Sequence, residues 1–215
     1  MHDLKNIYRG DEVKFYSIFK SLESRLLSDF LNAHPDFQTG SEFTSVGYYQ
    51  NPTGDNNKLY SGHKIEAWKV SPIKANSKIL PQVKDLYPTA YELVKEFNSR
   101  CSICTYSILE PNTTIFRHTD IENRDAKTIR VHVPLYVPSG DIGFEVEGEE
   151  VSWADIFSFN NQKLHSAWNN TNERRLVLLL DLERSACDLP PATAWYPGIN
   201  DGVPVFEKTQ DPSLT

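Results

Sequence analysis

Cysteine is scarce in this sequence of 215 residues. Three cysteines are too few, and odd in number, for a disulfide-rich scaffold, and they are typical of a protein from a reducing compartment. Cys101 and Cys104 form a C-x-x-C motif, but no second pair of ligands accompanies it, as a zinc site would require. We therefore expect both thiols to be packing groups, since buried free cysteine is common.

Basic residues and long apolar runs are also lacking. Twenty-two basic residues against 29 acidic ones give a formal net charge of −7, which argues against a nucleic-acid-binding protein. No segment approaches the roughly 20 apolar residues that cross a bilayer, and residues 1–17 are too polar for a signal peptide. These absences favour a cytoplasmic protein with neither a membrane nor a nucleic acid as partner. The oligomeric state is not readable from the sequence.

The first hundred residues predict helices separated by loops. Residues 11–33 place apolar side chains at spacings of three and four, which is the pattern of an amphipathic helix. A second helix is predicted within residues 80–98, beginning near Thr89 after Pro88. The turn signal NPTGDN at 51–56 could join two strands as a hairpin. We expect residues 1–100 to be a helical support within a single domain that spans 1–215.

Residues 101–182 predict the core of that domain. Seven or eight short segments rich in Val, Ile, Phe and Tyr follow one another, separated by Pro, Gly, Asn and Asp. This pattern is typical of a β-sandwich or a jelly-roll barrel, so the fold class is mainly β with N-terminal helices packed on it. Residues 183–215 are rich in Pro and Gly, and we expect them to be a tail draped over the core, with aromatic residues that could cover a site.

His118 and Asp120 form the first candidate site. Residues two apart on a strand point to the same face, so this pair presents an imidazole and a carboxylate side by side. His165 on a later strand could complete a set of two histidines and one carboxylate, which leaves positions open on Fe(II) as an oxygenase needs. The alternative is that the pair are polar groups at a strand end and that His165 is a buried, hydrogen-bonded histidine.

Arg175 is a candidate anion-binding residue ten positions after His165. It begins the apolar strand RRLVLLLDL, where a buried cation needs a partner such as the carboxylate of a dicarboxylate cosubstrate. Arg174 competes for this role, and alternation does not choose between them because both faces of the strand are apolar. An ordinary salt bridge, for example with Asp181, is the alternative.

Three further residues could line the same site. Arg130 and His132 share one face of the strand TIRVHVPLYV, where they would form either an anion-binding wall or the solvent face of an edge strand. Ser107 lies on the preceding predicted strand and could donate another hydrogen bond.

These pieces together resemble the aspartyl/asparaginyl β-hydroxylase family of Fe(II)/2-oxoglutarate-dependent oxygenases, which includes hydroxylases of free proline. The resemblance covers roughly residues 66–182 and rests on the order of four segments: YSILEPNTTIFRHTD, TIRVHVPLYVPSG, EGEEVSWADIFSFNN with its Trp153, and LHSAWNNTNERRLVLLLDL. It implies a double-stranded β-helix (jelly-roll, cupin-like) core. It also implies Fe(II), 2-oxoglutarate and O2 as cofactor and cosubstrates, with the iron held by three ligands: His118, Asp120 and His165.

The resemblance further implies the remaining roles. The far carboxylate of 2-oxoglutarate would pair with Arg175, assisted by His132 and Ser107, and Arg130 would face the substrate or the cosubstrate. Retention of Asp120 and the HSAWN motif lean toward the branch that hydroxylates amino acids. We therefore expect a hydroxylase of an amino-acid-like small molecule or a short peptide. The alternatives are hydroxylation of an Asp or Asn side chain in a protein, desaturation or cyclisation by the same core, and a non-catalytic jelly-roll binding module.

Overall fold

The computed structural model describes residues 5–38, 40, 43–45, 49–50, 56–57, 67–120, 127–190, 199–200 and 203–204. The α-helices are α1 (Tyr16–Ala33), α2 (Val83–Leu86) and α3 (Pro88–Phe97). The strands of the first half are β1 (Ile7–Arg9), β2 (Thr44–Ser45), β3 (Tyr49–Gln50), β4 (Asn56–Asn57), β5 (Trp68–Ala75) and β6 (Lys78–Ile79). The later strands are β7 (Cys101–Leu109), β8 (Thr113–His118), β9 (Thr128–Tyr136), β10 (Ile142–Val146), β11 (Glu149–Val151), β12 (Phe157–Phe159), β13 (His165–Asn169), β14 (Arg175–Glu183), β15 (Ile199–Asn200) and β16 (Val203–Pro204).

Two antiparallel sheets form the core. The larger has the order β1-β12-β9-β14-β7-β5-β2, with β6 paired to β5, and the smaller has the order β11-β10-β13-β8. Consecutive strands of the region 101–183 are therefore distributed between two facing sheets, as in a double-stranded β-helix. The predicted jelly-roll core with helices packed on it is confirmed.

The helices cover the outer face of the larger sheet. α1 buries Phe19, Leu26 and Phe30 at helical spacing. α3 likewise buries one apolar face, which consists of Ala90, Leu93, Val94 and Phe97. α1 begins at Tyr16 rather than near residue 11, because a 3-10 turn and a left-handed Phe15 (φ 67°) precede it. α3 begins at Pro88. Proline is suited to this position because the first N–H groups of a helix have no intrahelical acceptor, so the N–H that proline lacks is not needed.

Strand β14 is buried on both faces. Leu176, Leu178, Leu180 and Leu182 pack in the cluster that includes the helices, whereas Val177 and Leu179 pack in the cluster between the two sheets. The apolar character of both faces in the sequence therefore reflects a strand between two layers. Residues of odd number on β14 point toward the smaller sheet.

The N-terminal hundred residues contribute strands as well as helices. β5 joins the larger sheet beside β7, and its register shifts between Pro72 and Lys74. Proline within a strand is tolerated at such an irregularity. In the sequence, however, Pro72 argues against a strand, so β5 is not predicted. The hairpin predicted around residues 51–56 is confirmed by antiparallel pairing of β3 with β4.

Cys101 and Cys104 are buried in the cluster beneath the helices and are free thiols, as predicted. Burial raises the pKa of Cys101 to about 12. The described helices include none with the length and apolar composition that crossing a bilayer requires. Most of the predicted tail, including Trp195 and Tyr196, lies outside the described residues.

Candidate active site between the two sheets

A pocket opens between the two sheets. The seven residues singled out in the sequence all line it: Ser107, His118, Asp120, Arg130, His132, His165 and Arg175. The remaining lining is mostly apolar: Trp68, Ile115, Phe144, Phe159, Ala167 and Leu179. A concave, largely apolar pocket with a few convergent polar groups is the usual form of a small-molecule site.

His118 and His165 face each other across neighbouring strands of the smaller sheet. They are directly paired in the β8–β13 register, and their ring centroids lie 4.3 Å apart. Asp120 lies two residues beyond His118, just past the end of β8 and not on the strand as the alternation argument assumed. Its backbone N–H donates to the Asn161 carbonyl oxygen at 2.9 Å, which holds the carboxylate beside the two imidazoles.

One oxygen of Asp120 faces both histidines. Its Oδ1 lies 3.6 Å from His118 Nε2 and 3.7 Å from His165 Nε2, and one donor atom from each of the three residues lies within 4.8 Å of the others. All three side chains are buried. Two imidazoles and a carboxylate at this spacing fit Fe(II) with open coordination positions.

The other oxygen of Asp120 is held by donors. Asp120 Oδ2 accepts hydrogen bonds from Arg130 Nη1 and, at 3.0 Å, from Asn161 Nδ2. Burial alone would raise the pKa of Asp120, but the Arg130 cation, followed by the two histidines, holds that pKa well below its usual range. On the opposite side, the backbone carbonyl of Lys163 lies 2.8 Å from His165 Nδ1, which directs Nε2 toward Asp120.

His165 is not protonated at neutral pH in this environment. Burial, followed by the neighbouring His118, lowers the pKa of His165 to about 3. A neutral imidazole is the form that binds a metal.

Arg175 lies in the pocket wall, and the part of the chain that the structure describes offers it no acidic partner. It is 2% exposed, and no carboxylate among the described residues forms an ion pair with it. Its Nε has no hydrogen-bond partner within the described part of the chain, and its guanidinium carbon lies 4.6 Å from the centre of the Trp153 ring. Burial lowers the pKa of Arg175 to about 9, so the cation is present at neutral pH but is poorly compensated.

Arg174 has a different environment. Its Nε donates to Glu110 Oε2 at 2.7 Å, and its Nη1 donates to the backbone carbonyls of Asp36 and Phe37. The choice that alternation left open is therefore made by the packing, because Arg175 shares the inner face of β14 with Val177 and Leu179.

His132 extends from the central strand β9 into an aromatic enclosure. Its ring stacks on Trp153 at 5.5 Å with an interplanar angle of 7°, and three phenylalanines lie within contact: Phe144, Phe157 and Phe159. Its Nδ1 is buried and has no hydrogen-bond partner among the described residues. Burial, followed by the Arg175 cation, holds the pKa of His132 well below its ordinary value. The alternative that this face of β9 is exposed to solvent is wrong, since β9 lies between β12 and β14.

Ser107 completes the polar wall. Its Oγ accepts a hydrogen bond from Trp68 Nε1 at 3.0 Å. Because the indole N–H can only donate, this contact leaves the Ser107 proton available to an acceptor in the pocket.

Asn161, Asp181 and Trp153 also contribute to the site. Asn161 holds Asp120, and Trp153 lies against Arg175 and His132. Asp181, which the sequence offers as a possible salt-bridge partner of Arg175, pairs with Arg130 instead. No local pattern marks Asn161, and Trp153 enters the sequence analysis only through the family resemblance.

The sequence profile described as Aspartyl/Asparaginyl beta-hydroxylase matches residues 25–185. A comparison with curated proteins finds no match. Among solved structures, a prolyl hydroxylase from Trichoplax adhaerens, in complex with a hypoxia inducible factor peptide fragment, is 16% identical, with 78% of this chain and 81% of that chain covered and a TM-score of 0.44. A 2OG-Fe(II) oxygenase family oxidoreductase from Burkholderia pseudomallei is 12% identical, with 54% and 68% covered and a TM-score of 0.37.

A cupin-2 domain protein from Rhodospirillum rubrum is 7% identical, with 82% and 83% covered and a TM-score of 0.39. The profile match spans most of the chain and contains every residue that lines the pocket. The chain therefore belongs to the aspartyl/asparaginyl β-hydroxylase family of Fe(II)/2-oxoglutarate-dependent oxygenases.

Proposed function

We propose that this 2-oxoglutarate-dependent dioxygenase hydroxylates an unactivated C–H bond of an amino acid or an amino-acid-containing small metabolite, with decarboxylation of 2-oxoglutarate to succinate. One observation carries the proposal: the His118–Asp120–His165 group lines one buried pocket together with the Arg175 cation, which has no acidic partner among the described residues. A metal ligand set and an anion-binding group in one cavity are what a chelating dicarboxylate cosubstrate requires.

The metal ligands in this proposal are His118, Asp120 and His165. The bound iron, with 2-oxoglutarate and O2, would supply the oxidising chemistry, in which one oxygen atom enters the substrate, the other enters succinate, and CO2 leaves. The protein contributes geometry: Arg130 and Asn161 leave Asp120 Oδ1 directed at the histidines, and the Lys163 carbonyl orients His165.

The cosubstrate-binding residues in this proposal are Arg175, His132 and Ser107. The Arg175 guanidinium would take the far carboxylate of 2-oxoglutarate through its planar fork. His132 is neutral and Ser107 is held as a donor by Trp68, so both would hydrogen-bond to the same anion. Arg130 also lines the pocket and would face the substrate or cosubstrate.

The small-substrate proposal is supported by the retained Asp120 and the HSAWN segment. A peptide substrate is the alternative. A screen of free amino acids and short peptides, with succinate release and product mass as readouts, separates the two. Product mass also separates hydroxylation, which adds one oxygen atom, from desaturation, which removes two hydrogen atoms.

Anaerobic binding of 2-oxoglutarate to the Fe(II)-loaded protein tests the proposed site. We expect a weak visible charge-transfer band from the chelated 2-oxo acid, and we expect it to be lost in His165→Ala and Asp120→Ala. Under air, the wild type should release succinate and both variants should not. Failure of the wild type to bind iron and 2-oxoglutarate would instead support a non-catalytic jelly-roll binding module.

A further inference from the structure

The Arg175 cation is compensated by an aromatic ring in a place where a buried arginine usually meets a carboxylate. Its guanidinium carbon lies 4.6 Å from the ring centre of Trp153. Among the described residues, no carboxylate forms an ion pair with Arg175. A cation over an indole face is stabilised most when it is desolvated, and Arg175 is only 2% exposed.

An indole face attracts a guanidinium through its charge but carries no carboxylate oxygen that would accept hydrogen bonds from the N–H donors. A carboxylate in the place of Trp153 would neutralise the cation and occupy those donors. The indole stabilises the charge and leaves the donors to an incoming anion, which agrees with the unbonded Nε of Arg175.

Trp153 also packs against the second proposed anion-binding residue. The His132 ring is parallel to the indole within 7°, at a centroid distance of 5.5 Å, and Phe144 and Phe157 contact the indole edge-on. Trp153 is itself 5% exposed and follows β11 in the turn that leads to β12. One rigid side chain therefore holds both Arg175 and His132.

From these contacts we propose that Trp153 is a positioning residue for the cosubstrate. It fixes Arg175 and His132 in the orientation that binds a dicarboxylate, so that little side-chain entropy is lost when the anion enters. This inference rests on the proposed function, because the anion concerned is 2-oxoglutarate. It assigns Trp153 no part in binding the metal.

Calorimetric titration of 2-oxoglutarate into the Mn(II)-loaded protein tests the inference without turnover. We expect Trp153→Leu to raise the dissociation constant at least about tenfold, and Trp153→Phe to raise it less, since phenylalanine keeps a weaker aromatic face. Trp168→Leu is the matched control: Trp168 packs on Gly143 and bonds to Asp141 away from the pocket, so the affinity should stay within about twofold of wild type.

Two further measurements separate positioning from a structural role. Mn(II) affinity, measured separately, should be unchanged in both Trp153 variants, and KM for 2-oxoglutarate should rise more than kcat falls. If Trp153→Leu does not fold, fluorinated tryptophans placed at position 153 weaken the π-face while keeping the shape of the ring. The dissociation constant for 2-oxoglutarate should then rise stepwise with fluorination.

The outcomes are distinct. Unchanged 2-oxoglutarate affinity in Trp153→Leu or across the fluorinated series, or an equal loss of Mn(II) affinity, would overturn the positioning role and leave the proposed function intact. Failure of the wild type itself to bind 2-oxoglutarate would overturn the proposed function, and with it this inference.

Discussion

The guanidinium of Arg130 forms a bidentate ion pair with the carboxylate of Asp181, with Nε–Oδ1 and Nη2–Oδ2 distances of 2.7 and 2.8 Å. The third nitrogen, Nη1, donates to Asp120. Both carboxylates are buried and lie on either side of one cation. Asp181 therefore acts on Asp120 through Arg130, although it is not near enough to bind the same ion.

Asp181→Asn should weaken metal binding. The amide can accept only one of the two hydrogen bonds from Arg130 and carries no charge, so the guanidinium is free to turn and Asp120 loses its fixed orientation. We expect Co(II) affinity, followed by visible absorption, to fall by about 10- to 100-fold, as is usual when an outer partner of a metal ligand is lost.

Glu145→Gln is a matched control for Asp181→Asn. Glu145 pairs at 3.3 Å with Arg117 on a partly exposed surface, so its loss should change Co(II) affinity by no more than about twofold. Equal Co(II) affinities in Asp181→Asn and the wild type would show that Arg130 needs no help from Asp181.

Arg175→Ala and Arg174→Ala should behave differently although the residues are adjacent. Removing the buried Arg175 removes a charged fork from the pocket, and we expect KM for 2-oxoglutarate to rise by about 100-fold, equivalent to about 3 kcal/mol. Arg174 bonds to Glu110 and two carbonyls outside the pocket, so its variant should retain the wild-type KM. Steady-state kinetics with 2-oxoglutarate as the varied component measures both. The reverse pattern would assign the carboxylate to Arg174.

His132 makes the stability of the metal-free protein depend on pH. Its pKa in the fold lies well below the ordinary value because of burial and the Arg175 cation. As the pH falls through about 6.5, the unfolded chain binds a proton that the folded chain does not, so the free energy of unfolding decreases.

His132→Phe removes this contribution and keeps an aromatic ring in the enclosure. Between about pH 7.5 and 5.5 the wild type should lose about 1.4 kcal/mol more stability than the variant, measured by urea unfolding of the metal-free proteins. Parallel pH dependence of the two unfolding free energies would mean that His132 accepts a proton within the fold.

Gly143→Ala should destabilise the smaller sheet. Gly143 is paired with Trp168 on the neighbouring strand, and an added Cβ would lie 1.9 Å from Trp168 Cζ2. Trp168 is held in place by a hydrogen bond from Nε1 to Asp141 Oδ1 at 2.7 Å, so it must give up that contact to move. We expect a loss of about 1–3 kcal/mol in thermal or urea unfolding. Unchanged stability would show that the indole moves freely.

The core strands were readable from the sequence because apolar alternation and turn residues are local properties. The eight strands β7–β14 occupy residues 101–183, where seven or eight short strands were predicted, although β11 (Glu149–Val151) lies mostly between two of the predicted segments. Strand β5 was missed because Pro72 argues locally against a strand, and only its irregular pairing with β7 makes the proline acceptable. Asn161 was missed, and Asp181 was assigned the wrong possible partner, because their importance comes from contacts with Asp120 and Arg130, which are distant in sequence.

The sequence by itself predicted a mainly β core and the order of its short strands along the chain, because apolar alternation and turn residues act at short spacing. The resemblance to a known family narrowed that core to a jelly roll and favoured Arg175 over Arg174, between which alternation did not choose. The tertiary structure decided which of the two arginines lies in the pocket, and it places Arg175 there. Both faces of β14 are apolar because one packs on the helices and the other on the smaller sheet, so no local pattern distinguishes them. The same packing places Trp153, rather than an acid, against Arg175 and leaves that cation for a ligand.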